Sequence, residues 1–260
     1  VFGENPEVIE TLVAAGADVN ATDNNGWTAL IFAAAITDNP AIIDSIKVLV
    51  VAGANVNATD NDGTTPLMYA VGKIDNPEAT KVLITAGAEI NATNKNGTTP
   101  LMFAAQAANN PEIIETLVEA GAGVNTRDAD GRTPIMYAAT LNSDYRVIET
   151  LVRLGAQVCV RDEAGLTPLI IAAGLNESPE VVTTLIKSGA EVDATDEAGM
   201  TPLMYAAGLS KNPKIVEALL NAGADGRLKS HKGKTAFDYA KNNKHLKNTD
   251  TYWLLNEARF

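Results

Sequence analysis

The sequence has one cysteine, Cys159, and two histidines, His231 and His245. A lone thiol cannot close an internal disulfide, so cysteine usage reveals no redox compartment. One Cys and two His are also too few for a typical four-ligand structural zinc site. Aromatic residues make up only 5% of the chain. No apolar run approaches the roughly 20 residues that a bilayer span needs, and no basic-then-apolar leader opens the chain. Basic residues are outnumbered, 20 against 32 acidic, for a net charge of −12. The imbalance is uneven. Residues 226–260 hold eight Lys/Arg and three Asp/Glu, which leaves 12 basic and 29 acidic residues elsewhere. An acidic body repels phosphate backbones and excludes nucleic acid as the main partner. It suits a basic protein surface, or serves solubility alone.

Motifs for chemistry are missing too. "HKGKT" at 231–235 ends like a phosphate-binding loop, but Leu228 stands where that motif needs its first glycine. There is no G-x-G-x-x-G after a strand and no H-E-x-x-H. Acids are plentiful, but Asp23, Asp60, Asp128, Asp162 and Asp196 recur at one phase, and no unrepeated carboxylate pair stands out for acid–base work. Cys159 has no neighbouring base to activate it. No catalytic, cofactor-binding or metal-binding residue is nominated, and no cofactor is expected. The sequons at Asn20, Asn57 and Asn91 are by-products of a repeated "NAT".

What the sequence does have is a period. Thr65-Pro66, Thr99-Pro100, Thr133-Pro134, Thr167-Pro168 and Thr201-Pro202 follow one another at 34 residues, and Thr235-Ala236 adds another step. Gly-Ala recurs at 16, 53, 87, 121, 155, 189 and 223, and a second glycine recurs at 26, 63, 97, 131, 165, 199 and 233. Thr before Pro predicts a helix start, because the hydroxyl caps free N–H groups and Pro suits the first turn. A second start follows at Asn5-Pro6, Asn76-Pro77, Asn110-Pro111, Ser178-Pro179 and Asn212-Pro213, with Asp144 able to cap in the fourth copy. Pairs such as Ile113, Ile114, Leu117 and Val118 form an apolar stripe at helical spacing. Glycine then ends the helix, and a stretch rich in Asn, Asp and Gly predicts a hairpin-like turn. The unit is hairpin, short helix, turn, longer helix. Two such helices cannot bury their stripes alone, whereas stacked copies can.

"DGTTPLMYA…NPEATKVLITAGAEINATN" resembles the ankyrin repeat, whose pattern opens D-x-x-G-x-T-P-L-H and closes L-L-x-x-G-A-x-x-N. The resemblance spans essentially residues 1–260. It implies an all-α solenoid of helix-turn-helix units joined by β-hairpin loops. The repeats fall at 23–59, 60–93, 94–127, 128–161, 162–195 and 196–229, after a partial unit at 1–22 and before a capping unit at 230–260. The unit of 34 residues, with its Asn-Pro-Glu start, resembles those of bacterial ankyrin proteins. The opening histidine is replaced by Ile31, Met68, Met102, Met136, Ile170, Met204 and Asp238, so the junction is expected to be an apolar seam with Met filling gaps. Three extra residues between Pro40 and Gly53 are expected to lengthen that second helix by nearly a turn. The partial first unit suggests a chain that continues upstream, with apolar surface exposed near Val1, Phe2 and Val8.

The resemblance implies a non-catalytic module that binds a partner protein on its concave face, made of hairpin tips and first helices. One slot there varies in chemistry: Trp27, Thr64, Thr98, Arg132, Leu166, Met200 and Lys234. Asp62 and Asp130, just before the turn glycine, would form an acidic rim or serve the turn. Tyr69, Tyr137 and Tyr205 form either a packing ladder or a groove surface. Ile36, Lys73, Leu141, Leu175 and Leu209 end the first helices, and the leucines read as loop anchors. Two other readings stand beside this one: a structural protein that self-associates through an open N-terminal end, and a small-molecule binder or enzyme. Partner identity and compartment, cytoplasmic or exported, are not readable.

Overall fold

A computed structural model of the chain describes residues 5–35, 41–73, 76–107 and 110–260. Val1, Phe2, Ile36 and Pro40, named above, lie outside the described residues. The chain divides into two compact units, one ending at Ala129 and one beginning at Asp130.

The first unit holds α1 (Pro6–Ala14), α2 (Ala29–Ala35), α3 (Ile42–Val51), α4 (Pro66–Lys73), α5 (Pro77–Thr85), α6 (Pro100–Ala107) and α7 (Pro111–Glu119). Short helices stack on short ones, α2 on α4 and α4 on α6. The second helices stack likewise, α1 on α3, α3 on α5 and α5 on α7, and each short helix packs on the second helix that follows it. Leu67, Met68, Leu83, Leu101, Met102 and Leu117 are fully buried between these rows. Burying each such side chain is worth about 1.5–3 kcal/mol.

The second unit holds α8 (Pro134–Leu141), α9 (Tyr145–Arg153), α10 (Pro168–Leu175), α11 (Pro179–Lys187), α12 (Pro202–Leu209), α13 (Pro213–Asn221), α14 (Ala236–Ala240) and α15 (Asp250–Glu257). Its rows run α8, α10, α12, α14 and α9, α11, α13, α15. Thr167 and Thr201 cap short helices as the sequence predicts, their hydroxyls accepting from the Ile170 and Met204 N–H groups at 3.3 Å, whereas the Thr133 hydroxyl before α8 caps no N–H. Second helices start on Asn5, Asn76, Asn110, Asp144 and Asn212, each accepting from the N–H two residues on. Ser178 and Ala41 are exceptions: the Ser178 hydroxyl bonds the Glu180 carboxylate and caps no N–H, and Ala41 before α3 makes no side-chain cap.

Three expectations change. No strand occurs among the described residues, and the connectors expected as β-hairpins are tight turns. In one of them the Asp60 N–H donates to the Thr64 carbonyl, and the Gly63 N–H donates back to the Asp60 carbonyl. A single backbone bond, from the Asn61 N–H to the Asn25 carbonyl, joins this turn to the previous one. Next, α3 is 10 residues long against nine in α5, so the inserted residues add one helical position rather than a turn. Last, Met68 and Met102 do more than fill gaps, each accepting a bond within its own repeat. The Thr65 and Thr99 N–H groups donate to the sulfurs of Met68 and Met102, at 3.5 and 3.4 Å. In the last repeat the Thr235 N–H donates to Asp238 Oδ2 at 3.1 Å. One backbone donor is thus served by a thioether inside the stack and by a carboxylate at its end. The Lys241 ammonium and the Thr235 N–H hold the Asp238 carboxyl down to about 2.

Candidate partner-binding surface

Each turn aspartate is the local organiser. Asp196 Oδ1 accepts from the N–H groups of Ala198 and Met200, both at 2.8 Å, and its Oδ2 accepts the Tyr205 hydroxyl at 2.7 Å. Asp60 does the same for Asp62, Thr64 and Tyr69. These carboxylates are spent on the fold. So are the two tyrosine hydroxyls. Partial burial, then the hydrogen bond to Asp60, pushes Tyr69 up to about 12, and the same causes raise Tyr205. Tyr137 is half-buried in the equivalent place.

The variable slot splits by size. Thr64 and Thr98 are buried, because a two-carbon side chain does not reach past the turn backbone. Leu166 and Met200 are longer and half-exposed, while their N–H groups are held by Asp162 and Asp196. Arg132 is exposed and ion-paired with exposed Asp130 at 3.0 Å. Asp62 is exposed. Trp27 is half-buried, its ring centroid 4.9 Å from that of Phe32 and 5.0 Å from that of Tyr69. The structure therefore brings Trp27 to Tyr69 and Asp130 to Arg132. Trp27 and Phe32 also wall a cavity of about 580 Å³ with Ile9, Leu12, Val19 and Leu49.

Two features escaped the sequence reading. Leu141, Leu175 and Leu209, read as anchors, are 65%, 56% and 57% exposed. The loop asparagines are stitches between repeats. Asn57 donates to the Gly87 carbonyl at 3.1 Å and accepts from the Glu89 N–H at 2.8 Å. Asn20 and Asn91 make the same pair of bonds. The recurrence of "NAT" at 20, 57 and 91 is the sequence signal for them. Among the described residues no group of three His, Cys, Asp or Glu could hold a metal ion, and no helix is long and apolar enough to cross a membrane.

Paired helices stacked on their neighbours, with connecting turns that repeat every 34 residues, define a helical repeat protein. The model for ankyrin repeats (3 copies) matches residues 1–94, 73–162, 141–230 and 169–257, and the chain belongs to the ankyrin-repeat family. No curated relative matches the sequence. Ankyrin repeats are in general protein–protein interaction modules, typically without enzymatic activity.

Proposed function

We propose that this chain is a non-catalytic binding module of six full repeats, 23–59 to 196–229, flanked by the partial unit at 1–22 and the cap at 230–260. It takes a partner protein on the face made by turn tips and first helices. One observation carries this. A single slot presents accessible Trp27 in the first unit and accessible Arg132, Leu166 and Met200 in successive repeats of the second, and turn aspartates hold the N–H groups of Trp27, Leu166 and Met200. A side chain needed for packing would be held constant by its neighbours. One that changes chemistry on a constant frame is available to choose a ligand, and Trp and Arg are the types that dominate interface energetics. Asp62 and Asp130 supply an acidic rim suited to a basic partner surface. Tyr69, Tyr137 and Tyr205 contribute ring edges rather than free hydroxyls.

The test is affinity capture from source lysate followed by titration of the recovered protein. The variant carrying Trp27→Ala, Arg132→Ala and Met200→Ala should bind at least tenfold more weakly. Unchanged affinity would overturn the reading. A second reading, self-association, is favoured by exposed Val8, Leu12 and Phe32 around the cavity beside α1. Sedimentation that stays monomeric across a wide concentration range would remove it.

A further inference from the structure

The second unit carries apolar surface that its own fold does not use. Leu141, Leu175 and Leu209 end α8, α10 and α12 and stand more than half exposed. Scattered exposed leucines need no explanation, but one per repeat at a fixed place makes a regular apolar row. Four residues back, on the same helix face, lie Tyr137, Ile171 and Tyr205. One position before each leucine stand Thr140, Gly174 and Gly208. A Cβ on Gly174 would stand 3.3 Å from the Tyr205 ring and 3.6 Å from Leu209 Cδ1. Leu209 therefore leans over bare backbone of the preceding repeat, and the leucine columns adjoin. Toward the turns, half-exposed Leu166 and Met200 continue the strip. Exposed Glu163 and Glu197 stand at successive tips there, and the exposed Arg161 guanidinium is held between those turns by the Gly165 and Thr195 carbonyls. In the first unit the same slot holds Ile36, Lys73 and Ala107, so an unbroken run of leucines is particular to the second.

We propose that the strip seats a basic amphipathic helix of the partner protein. Apolar side chains of that helix lie on Leu141, Leu175 and Leu209, and its Lys or Arg side chains face Glu163 and Glu197. The proposal rests on the protein-binding reading above and narrows it to a partner class. Charge decides the sign: residues 130–225 hold seven Lys/Arg against thirteen Asp/Glu, and an acidic helix would meet like charge at the tips. The apolar row decides the shape. A helix offers anchors at i, i+3, i+4 and i+7 to such a row, whereas a peptide that binds by adding a strand needs an open strand edge, and no strand occurs among the described residues.

The experiment uses fluorescence anisotropy on the full chain with a labelled Leu/Lys amphipathic peptide of about 18 residues, or five helical turns. Control peptides carry Glu for Lys or Ser for Leu. Protein variants are Leu141→Ser/Leu175→Ser/Leu209→Ser and Glu163→Gln/Glu197→Gln, with circular dichroism to verify the fold and Leu→Ala replacements if serine unfolds it. The leucine variant should lose at least tenfold in affinity. The glutamine variant should lose about threefold and show a shallower salt dependence. Equal binding by the leucine variant, or by either control peptide, overturns the proposal. A captured partner that responds to the Trp27, Arg132 and Met200 substitutions but not to the leucine variant sinks this proposal and leaves the broader reading standing.

Discussion

At the scale of single residues, the loop stitch offers a direct comparison. Asn57 both donates and accepts across the repeat junction. Cys159 occupies the same slot and makes one weak bond, its S–H donating to the Gly189 carbonyl at 3.4 Å. Cys159→Asn should restore the second bond, to the Glu191 N–H, and stabilise the protein by about 0.5–1 kcal/mol. A urea titration that shows no rise in midpoint would refute it. The turn tyrosines allow a second check. Tyr69 ionises at about 12 in the folded chain against an ordinary 10.0. A raised folded value means its contribution is complete below pH 10 and is lost as pH rises through about 12. Absorbance titration at 295 nm should therefore show Tyr69 and Tyr205 of the native state still protonated at pH 11, and Tyr69→Phe should remove part of that lag. These roles were half legible. The Asp and Tyr ladders stood in the sequence at constant spacing, but nothing in the letters said that they bond to each other. The leucines misled for a related reason. A leucine at a helix end reads as a loop anchor, and whether it is covered depends on how far the next repeat reaches over it.

At the scale of elements, the starts of the helices were the most legible part of the chain, because capping is local chemistry that needs no tertiary information. Asparagine or aspartate before the second helix does cap, in five copies among the described residues. Serine looked equivalent at 178 and is not, because an acid two residues on captures its hydroxyl. Asn76→Ala should accordingly cost about 1 kcal/mol, and Ser178→Ala should cost little. Equal losses in paired thermal melts would mean that the Asn76 bond to the Glu78 N–H, 2.9 Å long, contributes nothing. The β-hairpin form of the connectors was not legible as such. Their composition predicts a turn, but the number of backbone bonds that two arms exchange depends on how closely adjacent repeats stack. The insertion in the 23–59 repeat shows the same limit: composition allowed a longer helix, and α3 gained one residue.

At the scale of the molecule, stability is a matter between neighbours. Within the first unit α4 packs on α2, α5 and α6, and α5 packs on α3, α4 and α7. Such a chain has no single core through which a local defect must spread. Leu83 lies in α5 and is fully buried. Leu83→Ala should cost about 2–5 kcal/mol where it is felt, by lost transfer energy and the cavity left behind. Because the contacts of α5 end at adjacent helices, that loss belongs to the first unit. Hydrogen exchange should quicken across α3 to α7 while amides of α12 and α13, which pack on α10, α11, α14 and α15, keep their protection. If protection in α12 and α13 fell by as much as in α5, the repeats would be unfolding as one body. Nearest-neighbour packing would then no longer explain why residues outside the repeated frame are free to vary, which is the premise of the binding surface proposed for them.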